Sequence, residues 1–519
     1  MAAHARNNRL SVVWLHCPGH YHWYGSAVCF LRQPLLRPLN GRRYRHYSRP
    51  TPTPVCTTLP LSSIPHITII RPIAGIEPCL YDCLASTFQQ SYPSERLAIY
   101  FCVSSIKDPS LPILQSLLST YPSFDARIFI EDEDPNLNPA FGGARDNLGP
   151  NPKIRNMSRA YREAKGEVIW IVDCNVWVSA SAAGLMVDLL CGFAGTSKGR
   201  KYKFVHQLPV AVDVSADQTR MGVNTASGTA LDTMFLSTSH AKFYTAISTV
   251  AIAPCTVGKS NMFRRAHLDA LTQPSPSQAS TRAPGIDLFS DNICEDHLLS
   301  DLLWRSPVPA VTRTASFMEG RSIEGPLTKA PRMRSWGNHG LLVAPPCIQP
   351  MDGMALSGYV ARRTRWLRVR KFTVPAATLV EPATESLFVT MMLAWAVTTL
   401  PWCRERLGVP STWKAFWAVW VMGVVLWSCL DRWVYGLLQG WKDEGGADGR
   451  RPVFLGSGAG KSLSSWCVAW FGREVLAFWV WAWAILGGTV VVWRGRRFQV
   501  GLDARVKEIP GRQGKAKEG

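Results

Sequence analysis

Three aspartates followed by an arginine–tryptophan motif are the residues of this chain whose types and order could do chemistry. In chain order they are Asp108, Asp173, Asp296 and the motif Arg362-x-x-Arg365-Trp366. One acid can hydrogen-bond a nucleoside, a second can hold a divalent cation against a diphosphate, and a third can deprotonate a hydroxyl. An arginine fork can bind phosphate beside a stacking tryptophan. The set therefore predicts transfer of a sugar from a nucleotide-activated donor to a hydroxyl group.

The stretch from 151 to 179 would position Asp173. Asn151-Pro152 is a turn signal, and residues 154–165 can form a helix because they contain neither proline nor glycine. Residues 167–172 form an apolar run rich in β-branched side chains, which is typical of a strand buried on both faces. Asp173 follows that strand at its carboxyl end, where open α/β sheets bind ligands. An aspartate that only caps the next helix is an equally available interpretation.

Strands and helices alternate before and after this stretch. Strands are predicted at residues 66–72, 97–104, 126–130, 167–172 and 204–212, with helices at 78–90 and 111–121 between them. This alternation predicts an α/β domain with a mostly parallel sheet. The first strand–helix turn lacks GxGxxG, so the dinucleotide-binding version of the architecture has no support. Residues 318–352 are rich in proline, glycine and arginine and are predicted to form a loop.

The composition indicates a membrane protein. The chain has 519 residues, a formal charge of +20, a pI near 9.6 and 21 tryptophans, many of them in apolar runs after residue 387. Such a charge fits nucleic acid or an anionic membrane, and the tryptophan-rich runs favour the membrane. The basic residues do not gather on one nucleic-acid motif. The 14 cysteines include no CxxC pair, which favours reduced thiols facing the cytosol.

Three apolar runs predict two or three transmembrane or re-entrant helices. They are Ser386 to Cys403, Trp413 to Leu438 and Val475 to Trp493. The predicted domains are therefore a region at 1–60, a cytosolic catalytic domain at 61–375, a membrane region at 376–500 and a basic tail at 501–519. The chain from Arg494 onward is expected to be disordered. Residues 10–36 are only partly apolar, so the first region is either a degenerate membrane anchor with a basic linker or a disordered basic tail.

Several longer stretches carry a family resemblance. They are ITIIRPIAGIEPCL at 67, NPKIRNMSRAYREAKGEVIWIVDCNVWV at 151, FVHQLP at 204, VGKSNMFRR at 257, CEDHLLSDLL at 294 and WRGRRF near the C-terminus. With the three acids and RxxRW, they resemble the membrane glycosyltransferases of GT-A fold that share a D, D, D, (Q/R)xxRW pattern. Within that group the chain is most similar to the ceramide glucosyltransferases of fungal type. The resemblance implies transfer of glucose from UDP-glucose to the primary hydroxyl of ceramide, with inversion, on Golgi or endoplasmic reticulum membranes.

The resemblance also assigns roles by position. It implies that the nucleotide sugar contacts Asp108, Lys153, Asp173 and His206. It implies that Asp173 also holds Mg²⁺ or Mn²⁺ and that Asp296 is the catalytic base. It implies that the phosphates or the acceptor contact Arg362, Arg365 and Trp366.

Two positions near these residues leave alternatives open. Asn175 stands where many GT-A enzymes have the second acid of DxD, so a metal would gain only a neutral oxygen there. Glu295 precedes Asp296 and could compete for the role of base, but neighbours on a helix point about 100° apart.

Two other functions remain alternatives. A processive polysaccharide synthase of the cellulose or chitin type shares the three acids and RxxRW, but usually has more membrane spans. An inactive membrane scaffold would be expected to lack one of the acids, and all three are present.

Overall fold

The computed structural model describes residues 53–138, 148–193, 199–215, 227–274, 282–309, 336–440, 452–455 and 462–510. All of them belong to the second of the two units into which the chain divides, residues 46–519. The first unit, residues 1–45, lies outside the described residues, and so does most of the predicted N-terminal region.

A seven-stranded sheet organises the catalytic part of the chain. Its strands are β1 Ile67–Pro72, β2 Leu97–Val103, β3 Asp125–Ile130, β4 Val168–Val172, β5 Phe204–Asp213, β6 Ser260–Arg264 and β7 Gly340–Met351. Their spatial order is β3-β2-β1-β4-β6-β5-β7. Only β6 is antiparallel to its neighbours, β4 and β5, and every other pairing is parallel. The predicted α/β domain with a mostly parallel sheet is confirmed.

Helices cover both faces of the sheet. In chain order they are α1 Leu80–Ala85, α2 Leu111–Thr120, α3 Pro152–Arg162, α4 Ala182–Cys191, α5 Ser227–Ser237, α6 Ser239–Val250, α7 Arg265–Leu271, α8 Glu295–Arg305 and α9 Leu356–Thr373. Alternate residues of one strand enter different cores: Trp170 packs on one face with Ile69, and Ile171 on the other with Ile70. Strands buried on both faces need such continuous apolar runs, which is why the sequence located β1, β2 and β4 well.

The predicted loop at 318–352 is wrong for its last part. Residues 340–351 form β7, which pairs with β5 at the edge of the sheet. The prolines of this stretch caused the error. Proline argues against a central strand, but an edge strand such as β7 tolerates it. Residues 310–335 lie outside the described part of the chain.

Apolar helices follow the catalytic domain. They are α10 Pro375–Val380, α11 Ser386–Thr399, α12 Pro401–Leu407, α13 Trp413–Gly440 and α14 Leu463–Leu486. By length and composition α13 and α14 are candidate membrane spans, and α11 with α12 forms a pair bent by 75° that could make a third. The third apolar run therefore begins twelve residues earlier than Val475 and ends earlier than Trp493. The sequence prediction missed this shift because Arg473 and Glu474 interrupt the run.

The predicted disordered tail from Arg494 is also wrong within the described residues. Strands β8 Val490–Trp493, β9 Arg496–Val500 and β10 Val506–Ile509 form an antiparallel sheet. This C-terminal sheet docks on the catalytic domain, where Asn292 Nδ2 donates to the Ala504 carbonyl at 2.9 Å and Val506 N donates to the Asp291 carbonyl at 2.8 Å. Its basic side chains face outward from a small apolar core, so charge alone did not indicate disorder.

Candidate active site

Two of the predicted acids lie at the same edge of the sheet. Asp108 follows β2 and Asp173 follows β4, and both strands pair in parallel with β1. The carboxyl ends of parallel strands meet at one edge, which is where such sheets bind ligands. The buried Arg71 on β1 fixes the loop after β4 by donating to the carbonyls of Cys174 and Val176 at 3.1 and 2.9 Å. The predicted position of both acids is confirmed.

Asp173 is clamped between two lysines. Its Oδ1 lies 3.0 Å from Lys153 Nζ, and its Oδ2 lies 3.1 Å from Lys259 Nζ. Burial would raise the pKa of Asp173, but the two ammonium charges outweigh burial and hold that pKa below its usual range. Lys259 also donates to Asn175 Oδ1 at 3.1 Å. The loop after β4 therefore presents an ionised carboxylate inside a cationic setting.

The start of α3 aims Lys153 at this carboxylate. Asn151 caps the helix, since its Oδ1 accepts from the backbone N–H groups of Lys153 and Ile154 at 2.8 and 3.2 Å. Proline at the first helical position adds a fixed φ. The NPK sequence therefore has a physical role: it fixes the first turn of α3 so that Lys153 reaches Asp173.

Glu295 is the second acid on Lys153. Its Oε1 lies 3.1 Å from Lys153 Nζ, and its Oε2 accepts from Asn151 Nδ2 at 3.1 Å. Burial raises the pKa of Glu295 to about 7, and the charge of Asp296 adds to that effect while Lys153 opposes it. A carboxyl group with this pKa is partly protonated near neutrality. Glu295 is thus held in place by two partners and is not free to turn toward a substrate.

Asp296 begins α8 beside Glu295 and is half-buried. A Cβ built on Gly258 would lie 3.1 Å from Asp296 Oδ2 and 2.7 Å from Lys153 Nζ, so Gly258 leaves the space between them open. A cavity reaches this space; its polar lining includes Lys153, Glu295 and Asp296, and its apolar lining includes Phe204 and Leu299. The predicted place of Asp296 in the first turn of a helix is confirmed, and its role as base stays a prediction.

The RxxRW motif lies on α9, and its members face different partners. Arg362 Nη2 donates to Gln349 Oε1 at 3.4 Å, Arg362 Nε lies 3.5 Å from Asp232 Oδ2, and the guanidinium stands 4.8 Å from the Trp366 ring centroid. Arg365 instead faces the acid cluster. Burial lowers the pKa of Arg365 to about 10, and the charges of Arg362 and Arg494 add to this, whereas Glu295 and Asp173 oppose it.

Arg494 brings the C-terminal sheet to the same place. It occupies the turn between β8 and β9 at φ +50° and donates from Nη1 to the Pro152 carbonyl at 3.4 Å. Arg365 and Arg494 both stand beside the Trp493 ring, at 5.9 and 5.6 Å from its centroid. Two guanidinium groups on one ring next to the Asp173 loop form a site that suits an anion.

The other two predicted residues make internal contacts. Asp108 accepts from Ser110 Oγ at 2.7 Å and from the Gly75 N–H at 3.1 Å, which joins the loops after β1 and β2. His206 is buried: its Nδ1 bonds the Tyr244 hydroxyl, and its Nε2 lies 2.7 Å from His339 Nδ1. Burial and the charge of His339 hold the pKa of His206 well below its usual range, so this ring is neutral. Their roles toward a nucleotide stay predictions.

The residues around Asp173 can accept a divalent cation only with help from a substrate. No group of three His, Cys, Asp or Glu side chains in the described ranges could hold a metal ion. Magnesium, however, is commonly held by one or two carboxylates together with substrate phosphates. Asp173 and Asn175 supply oxygens of that kind, so the donor set fits an ion completed by a diphosphate, in competition with Lys153 and Lys259.

Three residues of the cluster were given no chemical role by the sequence prediction, namely Asn151, Lys259 and Arg494, and Glu295 was considered only as an alternative base. Asn151, Lys259 and Arg494 lie in stretches that carried the family resemblance, NPK, VGKS and WRGRRF. These stretches marked the residues as part of the family resemblance, but in so basic a chain nothing in the sequence distinguishes a lysine or arginine of the site from the others. Only the antiparallel β6 and the returning C-terminal sheet bring Lys259 and Arg494 to Asp173.

A protein-family model matches most of the amino-acid sequence of this chain. The model "Glycosyl transferase family 21" matches residues 42–305 and 327–506. The chain belongs to glycosyl transferase family 21. The match includes the three acids, the two lysines, RxxRW and strands β8 and β9 of the C-terminal sheet, so family 21 covers both the catalytic domain and the helices after it.

Curated relatives cover nearly the whole of this family 21 chain. It is 48% identical over 478 residues, 90% of each chain, to "Ceramide glucosyltransferase" of Pyricularia oryzae. It is 38% identical over 522 residues, covering 92% of this chain and 91% of the relative, to "Ceramide glucosyltransferase" of Gibberella zeae. Among solved structures, a mannosyltransferase from Pyrobaculum calidifontis in complex with GDP-Man and Mn²⁺ matches 89% of this chain and 96% of its own, with 13% identity and a TM-score of 0.34.

Proposed function

We propose that this chain transfers glucose from UDP-glucose to the primary hydroxyl of ceramide, with inversion, and releases UDP. Two fungal relatives named ceramide glucosyltransferase support the reaction, since each is matched over about nine tenths of its length. The observation that carries it in this molecule is the single cluster that Lys153 joins, with Asp173 on one side and Glu295 and Asp296 on the other.

The donor end of this cluster supports binding of a diphosphate. Arg365 and Arg494 stand together on Trp493, and Lys259 lies on the Asp173 loop. Within the described ranges Arg365 makes no ion pair with an acidic side chain, so its charge is available to an anion. Asp173 and Asn175 would hold Mg²⁺ or Mn²⁺, which would supply further charge neutralisation to the departing UDP. Asp108 and His206 support this end by fixing the surrounding loops and strand.

The acceptor end supports a base in an apolar setting. Asp296 would accept the proton of the ceramide hydroxyl. At the same time the hydroxyl oxygen of ceramide would form a bond to the anomeric carbon of glucose, and the bond between that carbon and the UDP oxygen would break. Lys153 places a positive charge near the base, on the other side of the space that Gly258 leaves open. Attack from the side opposite UDP gives the inverted, β-linked product.

The lipid acceptor would approach this base from the α9 side, where the base lies near the apolar helices. Ile293 and Cys294, just before Asp296 in the chain, pack with Val369 and Phe372 of α9. The other side of α9 contacts the apolar helix α14 through Leu367, Val480 and Ala484. The proposed base is therefore only one helix away from the apolar part of the chain. We place the enzyme in Golgi or endoplasmic reticulum membranes, with the catalytic domain in the cytosol.

A polysaccharide synthase is disfavoured by the same observations. The chain has two candidate spans in its described residues, or three with the bent pair, whereas a translocation channel usually needs more. An inactive scaffold is disfavoured because all three acids are present, and Asp296 lines an open cavity.

Transfer of labelled glucose tests the proposal. Membranes from a host that lacks glucosylceramide are prepared with and without this chain and given labelled UDP-glucose with short-chain ceramide or with glucan and chitin oligomers. We expect labelled glucosylceramide only with the chain and only with ceramide. Labelled oligomers without glucosylceramide would overturn the proposal. A chelator should lower turnover and restored Mg²⁺ or Mn²⁺ should recover it; unchanged turnover would remove the cation from the site.

A further inference from the structure

Helix α14 is long and apolar enough to cross a membrane, yet the chain just before it is attached to the catalytic domain. Leu455 belongs to the short described segment 452–455 and is buried with Trp177 after β4, Val212 of β5 and Ile348 of β7. Eight residues later α14 begins at Leu463, so its first turn starts on the catalytic side of any membrane.

The chain just after α14 is attached to the same domain. Arg368 of α9 donates from Nη2 to the Gly487 carbonyl at 2.7 Å, and Lys371 Nζ donates to the Gly488 carbonyl at 2.8 Å. The C-terminal sheet follows at once, and its Phe498 and Val506 pack with Val369 of α9. Both ends of α14 are therefore held by the catalytic domain.

Between its two ends, α14 also packs against the catalytic domain. Trp466 and Trp470 pack with Met234 of α5, and Val480 and Ala484 pack with Leu367 of α9. The helix has 24 residues and is about 36 Å long at 1.5 Å per residue. A helix that crosses a bilayer must have its ends on opposite sides of a hydrocarbon layer about 30 Å thick. Contacts along its whole length with one domain exclude that placement.

We propose that α14 is an interfacial helix that lies along the membrane surface on the catalytic side, with its outer face in the lipid. That face is exposed and apolar: Val468, Phe471, Val475, Trp479, Trp483 and Leu486. The three- and four-residue spacing puts these side chains on one stripe. Tryptophan favours the boundary between headgroups and acyl chains, and an amphipathic helix of this kind binds there.

In the same proposal the bent pair α11 and α12 and the long helix α13 continue this lipid surface and cross the bilayer as a hairpin that turns near Gly408. Helix α11 leaves the domain at Ser386, which donates from its N–H to Glu474 Oε2 at 3.0 Å. Helix α13 returns to it at Gln439, which donates to the Ala211 carbonyl at 3.0 Å. Between them Trp420 Nε1 donates to the Leu387 carbonyl at 3.1 Å, so the two helices run side by side. The hairpin leaves the catalytic side of the membrane and returns to it. The basic C-terminus therefore stays on the catalytic side, as the positive-inside tendency favours.

Epitope accessibility in sealed microsomes tests this topology. Three single-epitope chains are compared: one epitope near residue 446, between α13 and α14, one after residue 519, and one near Gly408, between α12 and α13. We expect a protease added outside to remove the first two epitopes in sealed vesicles and the third only after detergent. Glucosyl transfer by each chain verifies that the insertion has left it folded.

Any other pattern of epitope digestion overturns the proposal. A C-terminal epitope that is protected while the epitope near 446 is digested would show that α14 crosses the membrane. An epitope near 446 that is protected while the C-terminal one is digested would show that α13 and α14 both cross. Digestion of the epitope near 408 in sealed vesicles would show that the hairpin turns back within the bilayer.

A second measurement needs no insertion. The native chain carries trypsin sites at Lys442, Arg450 and Arg451, between α13 and α14. In sealed microsomes we expect cleavage at these sites, identified by the masses of the fragments, at a rate that detergent changes by less than about twofold. Cleavage that requires detergent would overturn the interfacial placement of α14 even if every tagged chain failed to fold.

Discussion

Two buried clusters of charged side chains differ in how completely their charges are enclosed. The site cluster joins Lys153, Lys259, Asp173 and Glu295; the Asp173 side chain is 23% exposed, and Lys153 and Glu295 line a cavity. The anchor cluster joins Arg473, Glu474, Glu385, Asp431 and Lys242, and the Asp431 side chain is 0% exposed.

Hydrogen bonds from neighbouring helices add to the ion pairs of the anchor cluster. Trp470 Nε1 donates to Asp431 Oδ2 at 2.8 Å, and Ser386 Oγ donates to Glu474 Oε2 at 2.6 Å. Its members come from α6, α13, α14 and the residue before α11, so it fastens the apolar helices to the domain. The site cluster has the opposite design, because Arg365 and Arg494 add positive charge there without forming an ion pair with an acidic side chain of the described residues. An open cluster with added positive charge suits an anionic ligand, whereas a closed cluster holds helices together.

Removing the base should give the largest change in the open cluster. We expect Asp296→Asn to fold and to bind UDP-glucose but to lose about 10²- to 10⁴-fold in glucosyl transfer, the usual contribution of a general base. The N-cap of α8 is Cys294, so the substitution leaves the capping residue unchanged. Glu295→Gln is the matched control and should retain more activity. Wild-type turnover in Asp296→Asn with loss in Glu295→Gln would reverse the two assignments.

Removing a charge from the closed cluster should change stability instead of catalysis. Asp431→Asn leaves Arg473 and Lys242 without a full counter-charge, and breaking a buried pair costs about 3–5 kcal/mol in the free energy of unfolding. We expect a lower midpoint in thermal unfolding of the purified chain in detergent and an almost unchanged KM for UDP-glucose in the folded fraction. Lys414→Gln, at the exposed start of the same helix, is the control. A raised KM with unchanged stability would show that this cluster also serves the substrate.

Arg494 tests whether the spare charge binds the donor. Losing one hydrogen bond to a charged group costs about 1.5–3 kcal/mol, which corresponds to a rise in KM for UDP-glucose of about 10- to 100-fold. We expect this rise in Arg494→Ala, with partial recovery in Arg494→Lys and little change in thermal stability. Arg497→Ala removes an exposed arginine from β9 of the same sheet and should leave KM unchanged. Equal effects of the two alanine variants would remove Arg494 from the donor site.

The last prediction concerns the pH dependence of stability at Glu295. Its pKa is raised from the model-compound value of 4.5 to about 7, so the folded state binds the proton more tightly than the unfolded state. This stabilisation is fully present below pH 4.5 and is lost as the pH rises to about 7. The unfolding midpoint of the wild type should therefore fall relative to that of Glu295→Gln across this interval. Parallel curves would show that Glu295 has an ordinary pKa when folded.

The sequence predicted the parts of the molecule that depend on local pattern. Continuous apolar runs located β1, β2 and β4, and the acids at their carboxyl ends followed from parallel pairing. The strand at 340–351 was missed because its prolines are tolerated only at an edge, and edge position is a property of the whole sheet. Arg494 could not be connected to Asp173, since over 300 residues separate them and only the returning C-terminal sheet brings them together. The anchor cluster was missed because its charges looked like interruptions of apolar runs.

Amide hydrogen exchange with and without UDP-glucose tests most directly that the open cluster is the ligand site and the closed one is not. The purified chain is compared in the two states, with the exchange of peptides followed by mass. The account predicts slower exchange in the loop after β4 at 173–178, at 257–260 and in the β8–β9 turn at 493–496, and unchanged exchange at 427–435 and 466–474. Protection confined to 427–435 and 466–474, with none at 173–178, would contradict it.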